Sequence, residues 1–211
     1  MYGSTSPSNH REVSVMQFYF AALTVTSLVV STSAALADDS KTEKSVAKTK
    51  EVRAGKITLT VPQSWEQKPQ GNRMRLAEFE VPAAEGDTEL GEFVVFHFEN
   101  GAGSVAANIQ RWVNQFDKEG RKEKIVSGES PQGKYTLVDL TGTYNKSIGP
   151  PIQKKSKRLE DWRVLNVMLQ TDSGDYFLKL DGPKKTIGAV EKEFRASFGG
   201  KKETEKERKA E

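Results

Sequence analysis

Histidine is the first residue type to consider for acid–base chemistry near neutral pH, because its ordinary pKa is about 6.5. The chain has two histidines, and only His97 lies beyond the apolar N-terminal segment. His97 stands between Phe96 and Phe98, and a catalytic triad would also need a nucleophile and an orienting acid beside it. The sequence therefore favours a histidine of the core or of a sheet face. A hydrolase built on carboxylates and His97 is the alternative.

Three other polar residues interrupt apolar strand-like runs, namely Asp139, Asn166 and Lys179. An unpaired charge is expensive to bury, so such residues are exposed, paired or functional. Asp139 and Lys179 could form an ion pair if their strands are neighbours. We expect structural pairing or exposure, and we treat His97, Asp139 and Lys179 as candidate buried polar groups without a catalytic role.

Basic residues are densest between positions 154 and 158, where Lys154, Lys155, Lys157 and Arg158 follow two prolines. Such a cluster can contact phosphates or acidic lipid. However, the formal net charge is only +3 and acidic residues are interspersed throughout. No ladder of aromatic residues accompanies the cluster, so we do not expect nucleic acid as a partner. A solvated loop is the favoured interpretation, and an anionic contact surface is the alternative.

The sequence gives little support for a metal or cofactor site. There is no cysteine, which excludes disulfides, thiol catalysis and thiolate ligands. The segment Glu85–Glu89 resembles part of a calcium loop, but the following glycine and the distal glutamate are missing. The Gly-Ala-Gly-Ser segment at 101–104 lacks the Gly-Lys-Ser/Thr ending of a P-loop. We therefore predict a solvated loop and a helix entry, with no metal and no cofactor.

The N-terminus predicts export. The apolar run Met16–Val30 is shorter than the roughly 20 residues that span a bilayer. Small residues follow, and Ala35 and Ala37 form an A-x-A site for cleavage before Asp38. We therefore predict a signal peptide over 1–37, no stable membrane span after cleavage, and a periplasmic or extracellular protein. An uncleaved anchor is the alternative.

Periodicity divides the remaining chain into three parts. Residues 38–55 and 199–211 are polar and charged, so we predict a flexible leader and a disordered tail. Residues 56–198 form the predicted single domain. Its strand signals lie at 57–61, 73–81, 92–99, 124–126, 135–144, 163–170 and 176–180, and its helix signals lie at 105–116 and 183–198.

The central strands predict the architecture. In the run 92–99, Phe93 and Val95 fall on one face while Val94, Phe96 and Phe98 fall on the other. A strand that is apolar on both faces is covered on both faces. With two amphipathic helices available, we predict an α+β domain in which a mainly antiparallel sheet has a helix on each face.

Two patches, Asn108–Phe116 and Tyr176–Pro183, resemble uncharacterised exported bacterial proteins. The layout resembles the PsbP-like fold over residues 56–198. That superfamily includes a photosystem II extrinsic subunit and a nuclear Ran-binding protein, and most members act by binding. The resemblance implies an αβα sandwich with a binding or accessory role and no catalytic motif. We therefore expect an exported, non-enzymatic protein of the bacterial envelope that binds an unidentified protein or small molecule.

Overall fold

Strands dominate the computed structural model, which describes residues 48–70, 74–98, 103–149 and 155–208. The predicted signal peptide, its cleavage residues Ala35, Ala37 and Asp38, and the first part of the leader lie outside the described residues. In chain order the elements are β1 Thr49–Ala54, β2 Ile57–Pro62, β3 Glu66–Gln67, β4 Arg75–Val81, β5 Gly91–Phe98, α1 Val105–Val113, β6 Lys122–Ser130, β7 Gly133–Ser147, β8 Ser156–Thr171, β9 Gly174–Pro183, α2 Lys184–Ala189, α3 Glu191–Ser197 and β10 Lys206–Glu207.

Eight strands form one antiparallel sheet in the order β10-β6-β7-β8-β9-β5-β4-β3, and β1 pairs with β2 in a separate hairpin. The long central strands are rich in β-branched and aromatic residues, which fit a pleated, buried surface. The predicted mainly antiparallel sheet is confirmed, and the few short helices fit an α+β domain.

The alternation along the central strands separates two buried clusters. The larger one joins Leu165 and Val167 of β8 to Phe194 and Phe198 at the C-terminal end of the fold. The smaller one joins Val164 of β8 to residues of α1 and of the β9 strand, including Trp112 and Phe177. Successive residues of a strand point to opposite faces, so β8 contributes to a different cluster on each side.

The helices are short. Ser104 caps α1, and its hydroxyl accepts a hydrogen bond from Ala107 N–H at 3.2 Å. The second predicted helix is divided at Val190, whose φ of −109° and ψ of 10° leave the helical region, so α2 and α3 are separate. With nine residues, α1 is the longest helix of the described segments, none of which contains a helix able to cross a membrane.

The fold extends beyond the predicted domain at both ends. Residues Thr49–Ala54, which we assigned to a flexible leader, form β1 and pair with β2 along their whole length. In the predicted tail, β10 pairs with β6 and Glu205 binds the buried Arg195. Backbone pairing and one internal ion pair order these polar segments, although they lack large apolar residues.

The hairpin of β7 and β8 bends over the sheet. The register between these strands shifts beyond Gly142, and Asp161 has a φ of 48°. Beyond this irregularity, Lys146 of β7 lies 2.7 Å from Glu92 of β5. β7 and β5 are three strand spacings, about 14 Å, apart in the sheet. For this contact to form, the end of the β7–β8 hairpin must bend over the face of the sheet toward β5.

Candidate functional site

An open groove of about 820 Å³ lies between the segment 86–89, α2, the start of β6 and the adjoining residues of β7 and β8. Its lining includes charged residues from all of these elements together with Trp162. The residues most relevant to its chemistry are Lys122, Lys124, Asp161, Trp162, Arg163 and Lys184.

One wall of the groove is fixed by hydrogen bonds between a loop and a helix. The Oδ2 atom of Asp87 accepts hydrogen bonds from Thr186 N–H at 2.9 Å and from Thr186 Oγ1–H at 2.6 Å. Ala84 N–H donates to the same hydroxyl at 3.0 Å, and Lys185 donates to the Glu85 carbonyl. The segment that resembled part of a calcium loop therefore anchors α2. In the part of the chain that the structure describes, no cluster of acidic residues and histidines could hold a metal ion.

The floor of the groove contains a bidentate ion pair. Arg163 donates to both carboxylate oxygens of Asp139, at 2.9 and 2.7 Å, and also to Glu191 at 2.6 Å. Burial alone would lower the pKa of Arg163, but these two carboxylates outweigh burial and raise it. The possible pair between Asp139 and Lys179 does not form, because β8 lies between β7 and β9.

The Arg163–Glu191 ion pair belongs to a larger network that joins α3 to the C-terminal segment. Glu191 accepts hydrogen bonds from Arg195 and Lys202, each at 2.9 Å, and Arg195 binds Glu205 at 2.7 Å. Burial would raise the pKa of Glu191, but the hydrogen bonds from Lys202 and Arg163 lower it to about 2. Burial and the nearby Glu205 carboxylate raise the pKa of Tyr135 to about 12.

A second ionic cluster surrounds Asp181, which is 1% exposed. Lys146 Nζ and Lys179 Nζ each lie 2.9 Å from this carboxylate, and Trp162 Nε1–H donates to it at 3.1 Å. Burial would lower the pKa of Lys179, but Asp181 and Tyr144 raise it. Burial would raise the pKa of Asp181, but the two ammonium groups lower it. Asp181, Lys146 and Lys179 therefore stay charged at neutral pH, and their contacts hold the bent hairpin on the sheet.

His97 lies half-buried on β5. Its ring stacks on Tyr176 with centroids 4.4 Å apart, and Nδ1 lies 3.1 Å from the Asp175 carbonyl oxygen. Among the described residues, no carboxylate and no hydroxyl makes a hydrogen bond with the ring. The structure therefore does not bring a nucleophile and an orienting acid to His97.

The basic cluster is largely neutralised where the structure describes it. Lys157 lies 3.6 Å from Glu89, and Arg158 binds both Asp117, at 3.1 Å, and Glu160. Lys155 is exposed, and Lys154 lies outside the described residues. The exposed end of β8 thus carries alternating charges instead of a continuous basic surface.

Sequence reasoning did not identify the groove, because its residues come from segments that only the strand order brings together. One local signal was available. Lys122 and Lys124 alternate at the start of β6, so their side chains share a face of the sheet. The predicted strand began only at Lys124, and the pattern was missed.

The comparisons with known proteins add little. No family model matches the chain, and no curated protein matches it. Among solved structures, the chain is similar to a protein of unknown function from Pseudomonas aeruginosa, with 15% sequence identity over 71% of this chain and 93% of that chain, and a TM-score of 0.39. A likeness this weak carries no argument about function.

Proposed function

We propose that this protein is an exported, non-enzymatic binding or accessory protein of the bacterial envelope, and that the groove beside α2 is its binding site. The export part of the proposal is supported by the apolar run Met16–Val30 and the A-x-A site before Asp38. The binding part is supported by the geometry of the groove.

The observation that carries the proposal is that one wall and the floor of the groove are held in place by internal bonds. Asp87 and Thr186 join the 86–89 segment to α2, while Arg163 joins Asp139 to Glu191. A site held in shape by its own contacts loses less conformational freedom when a ligand binds. The arrangement therefore suits recognition.

The electrostatics of the floor also favour binding over acid–base catalysis. A catalytic acid or base works best when its pKa lies near the working pH. Glu191 has a pKa lowered to about 2, and the pKa of Arg163 is raised, so neither exchanges protons near neutrality. Both groups are suited to holding α3 against β7 and β8.

We also propose the PsbP-like layout, with α1 on one face of the sheet and α2 with α3 on the other. The two buried clusters support it, since Trp112 of α1 belongs to one and Phe194 of α3 to the other. This layout would leave the groove at the margin of the α2 side, where a partner can reach it.

Site-specific photo-crosslinking in cells tests the proposed function. A photoreactive residue at Thr88, which is exposed and lines the groove, is compared with one at Thr60, which is exposed on β2. We expect an adduct from Thr88 and none from Thr60, on a mature chain that begins at Asp38 in the exported fraction. Intact mass detects protein and small-molecule adducts alike.

Two results would count against the proposal. One is the absence of any adduct at Thr88 above the Thr60 background at every salt concentration tested. The other is hydrolase activity in a broad screen that His97→Ala abolishes without lowering stability, which would favour the carboxylate and His97 hydrolase instead.

A further inference from the structure

We infer that the groove binds a ligand that carries an anionic group, a carboxylate or a phosphate, on an apolar body. Lys122, Lys124 and Lys184 supply the charges that bind the anionic group. This inference rests on the proposed function and specifies the chemistry of its ligand.

Internal pairing leaves the groove with an excess of available positive charge. Four acidic residues of the lining form ion pairs of their own, namely Glu89 with Lys157, Glu123 with Arg121, Asp139 with Arg163, and Glu160 with Arg158. Asp87 keeps its charge and accepts hydrogen bonds from Thr186. By contrast, Lys122, Lys124 and Lys184 line the groove and form no ion pair with any described residue. Their ammonium groups are therefore available to a ligand.

The three lysines reach the groove from two sides. Lys122 and Lys124 are two residues apart on β6, beside their register partners Thr141 and Asp139 on β7. Lys184 is the first residue of α2. A lysine ammonium is a compact charge with three donors, which suits the oxygens of a carboxylate or a phosphate. An anion in the groove therefore faces ammonium groups from both β6 and α2.

An apolar component of the ligand is indicated by the rest of the lining. Pro183, the last residue of β9, and its register partner Trp162 on β8 both line the groove. The indole of Trp162 is buried in the smaller cluster and donates its Nε1–H to Asp181, so Pro183 is the apolar side chain that the lining offers a ligand. Gly86 and Gly188 carry no side chains that would block the approach of a ring.

Asp161 places a negative charge in the groove, so it allows a test of whether the ligand is anionic. It lines the groove, has a φ of 48°, and forms no ion pair with any described residue. Its carboxylate repels an anion, so removing its charge should strengthen the binding of an anionic ligand. Asparagine tolerates the same left-handed backbone, which makes Asp161→Asn a suitable substitution.

Nuclear magnetic resonance titration of the chain from residue 38 to 211 tests the inference. The probes are 1-naphthyl phosphate, 1-naphthoate and the uncharged 1-naphthol, which share one ring system. We expect both anions to shift the amides of Thr88, Lys124 and Arg163, and to bind about tenfold or more tightly than 1-naphthol. Raising NaCl from about 0.05 M to about 0.5 M should weaken the binding of the two anions but not that of 1-naphthol.

Charge variants then locate the binding groups. The double variant with Lys122→Gln and Lys124→Gln should bind 1-naphthyl phosphate about tenfold more weakly. Lys56→Gln with Lys118→Gln removes the same charge at exposed positions outside the groove lining and should leave affinity unchanged. Asp161→Asn should bind the anions about twofold to fivefold more tightly. Urea unfolding verifies that each variant is folded.

The outcomes separate this inference from the proposed function. Equal binding of 1-naphthol and 1-naphthyl phosphate at the groove overturns the anionic ligand but leaves the groove as a binding site. Equal losses in the two double variants, or weaker binding in Asp161→Asn, also overturn it. If no probe shifts the groove amides, the inference fails, and the crosslinking from Thr88 decides the proposed function independently.

Discussion

Asp181 holds three strands together through one buried carboxylate, which contacts Lys146, Lys179 and the indole of Trp162. Removing one member of a buried ionic cluster leaves the others without a counter-charge and costs about 3–5 kcal/mol. Lys146 keeps Glu92 as a second partner, so we expect the lower end of that range for Asp181→Asn. The free energy of unfolding in urea should fall by about 3 kcal/mol.

The matched control for this substitution is Glu66→Gln, which removes an exposed carboxylate 3.7 Å from Lys68. An exposed ion pair contributes at most about 1 kcal/mol, so the control should change stability little. Equal effects of Asp181→Asn and Glu66→Gln would show that the Asp181 cluster does not lock the hairpin.

Glu191 makes stability depend on pH in the acid range. Its pKa is about 2 in the folded chain, against an ordinary value of 4.5. A lowered carboxyl pKa stabilises the fold fully above the unfolded value, and this contribution is lost as the pH falls through the folded value. The difference in unfolding free energy between the native chain and Glu191→Gln should therefore be largest above pH 4.5 and shrink toward pH 2. A difference that is constant across this range would contradict the pairing with Arg163 and Lys202.

At the scale of elements, the hairpin between β6 and β7 depends on a glycine. Gly133 has a φ of 150°, and a Cβ atom there would lie 1.9 Å from the Gln170 carbonyl oxygen of β8. The backbone of β8 cannot yield without breaking its pairing with β7. We expect Gly133→Ala to lower the free energy of unfolding by about 3 kcal/mol or more, measured by urea unfolding.

Gly120 is the control for this prediction, because it also has a positive φ, of 70°, but a Cβ atom there would meet nothing within 4 Å. Gly120→Ala should cost only the backbone strain, about 1–2 kcal/mol. If the two substitutions cost the same, the close approach of β8 to Gly133 has no energetic consequence.

Local patterns predicted the central elements because both faces of those strands are buried. The apolar runs at 92–99 and 163–170 are visible in the sequence, and residues 92–98 and 163–170 lie in β5 and β8. The pairing of Asp139 could not be predicted in the same way. It depends on which strand lies beside β7, and strand order is a long-range property that periodicity does not contain.

For the whole molecule, the groove was not predictable because five separate segments form it, and none of them alone indicates a groove. The chain ends were misjudged for a related reason. Composition shows that 48–55 and 199–208 have little apolar surface, but it does not show that β1 finds a partner in β2. Nor does it show that Arg195, which is 5% exposed, needs Glu205.

Two shortened chains test the true limits of the fold against a chain of residues 38–211. Removing 38–55 deletes β1 and exposes the larger buried cluster at Ile57 and Leu59 of β2. Removing 199–211 deletes Glu205, which leaves Arg195 with Glu191 as its remaining carboxylate partner. We expect each deletion to lower the free energy of unfolding by about 3 kcal/mol or more, as measured in urea.

Glu205→Gln separates the ion pair from the rest of the C-terminal segment. If the main role of this segment is to pair with Arg195, this single substitution should reproduce most of the loss in unfolding free energy caused by removing 199–211. The β10 pairing, which involves only Lys206 and Glu207, should account for the remainder. Shortened chains as stable as residues 38–211 would mean instead that both ends are the dispensable leader and tail that their composition suggests, and that the ordered contacts of β1 and Glu205 add nothing to the fold.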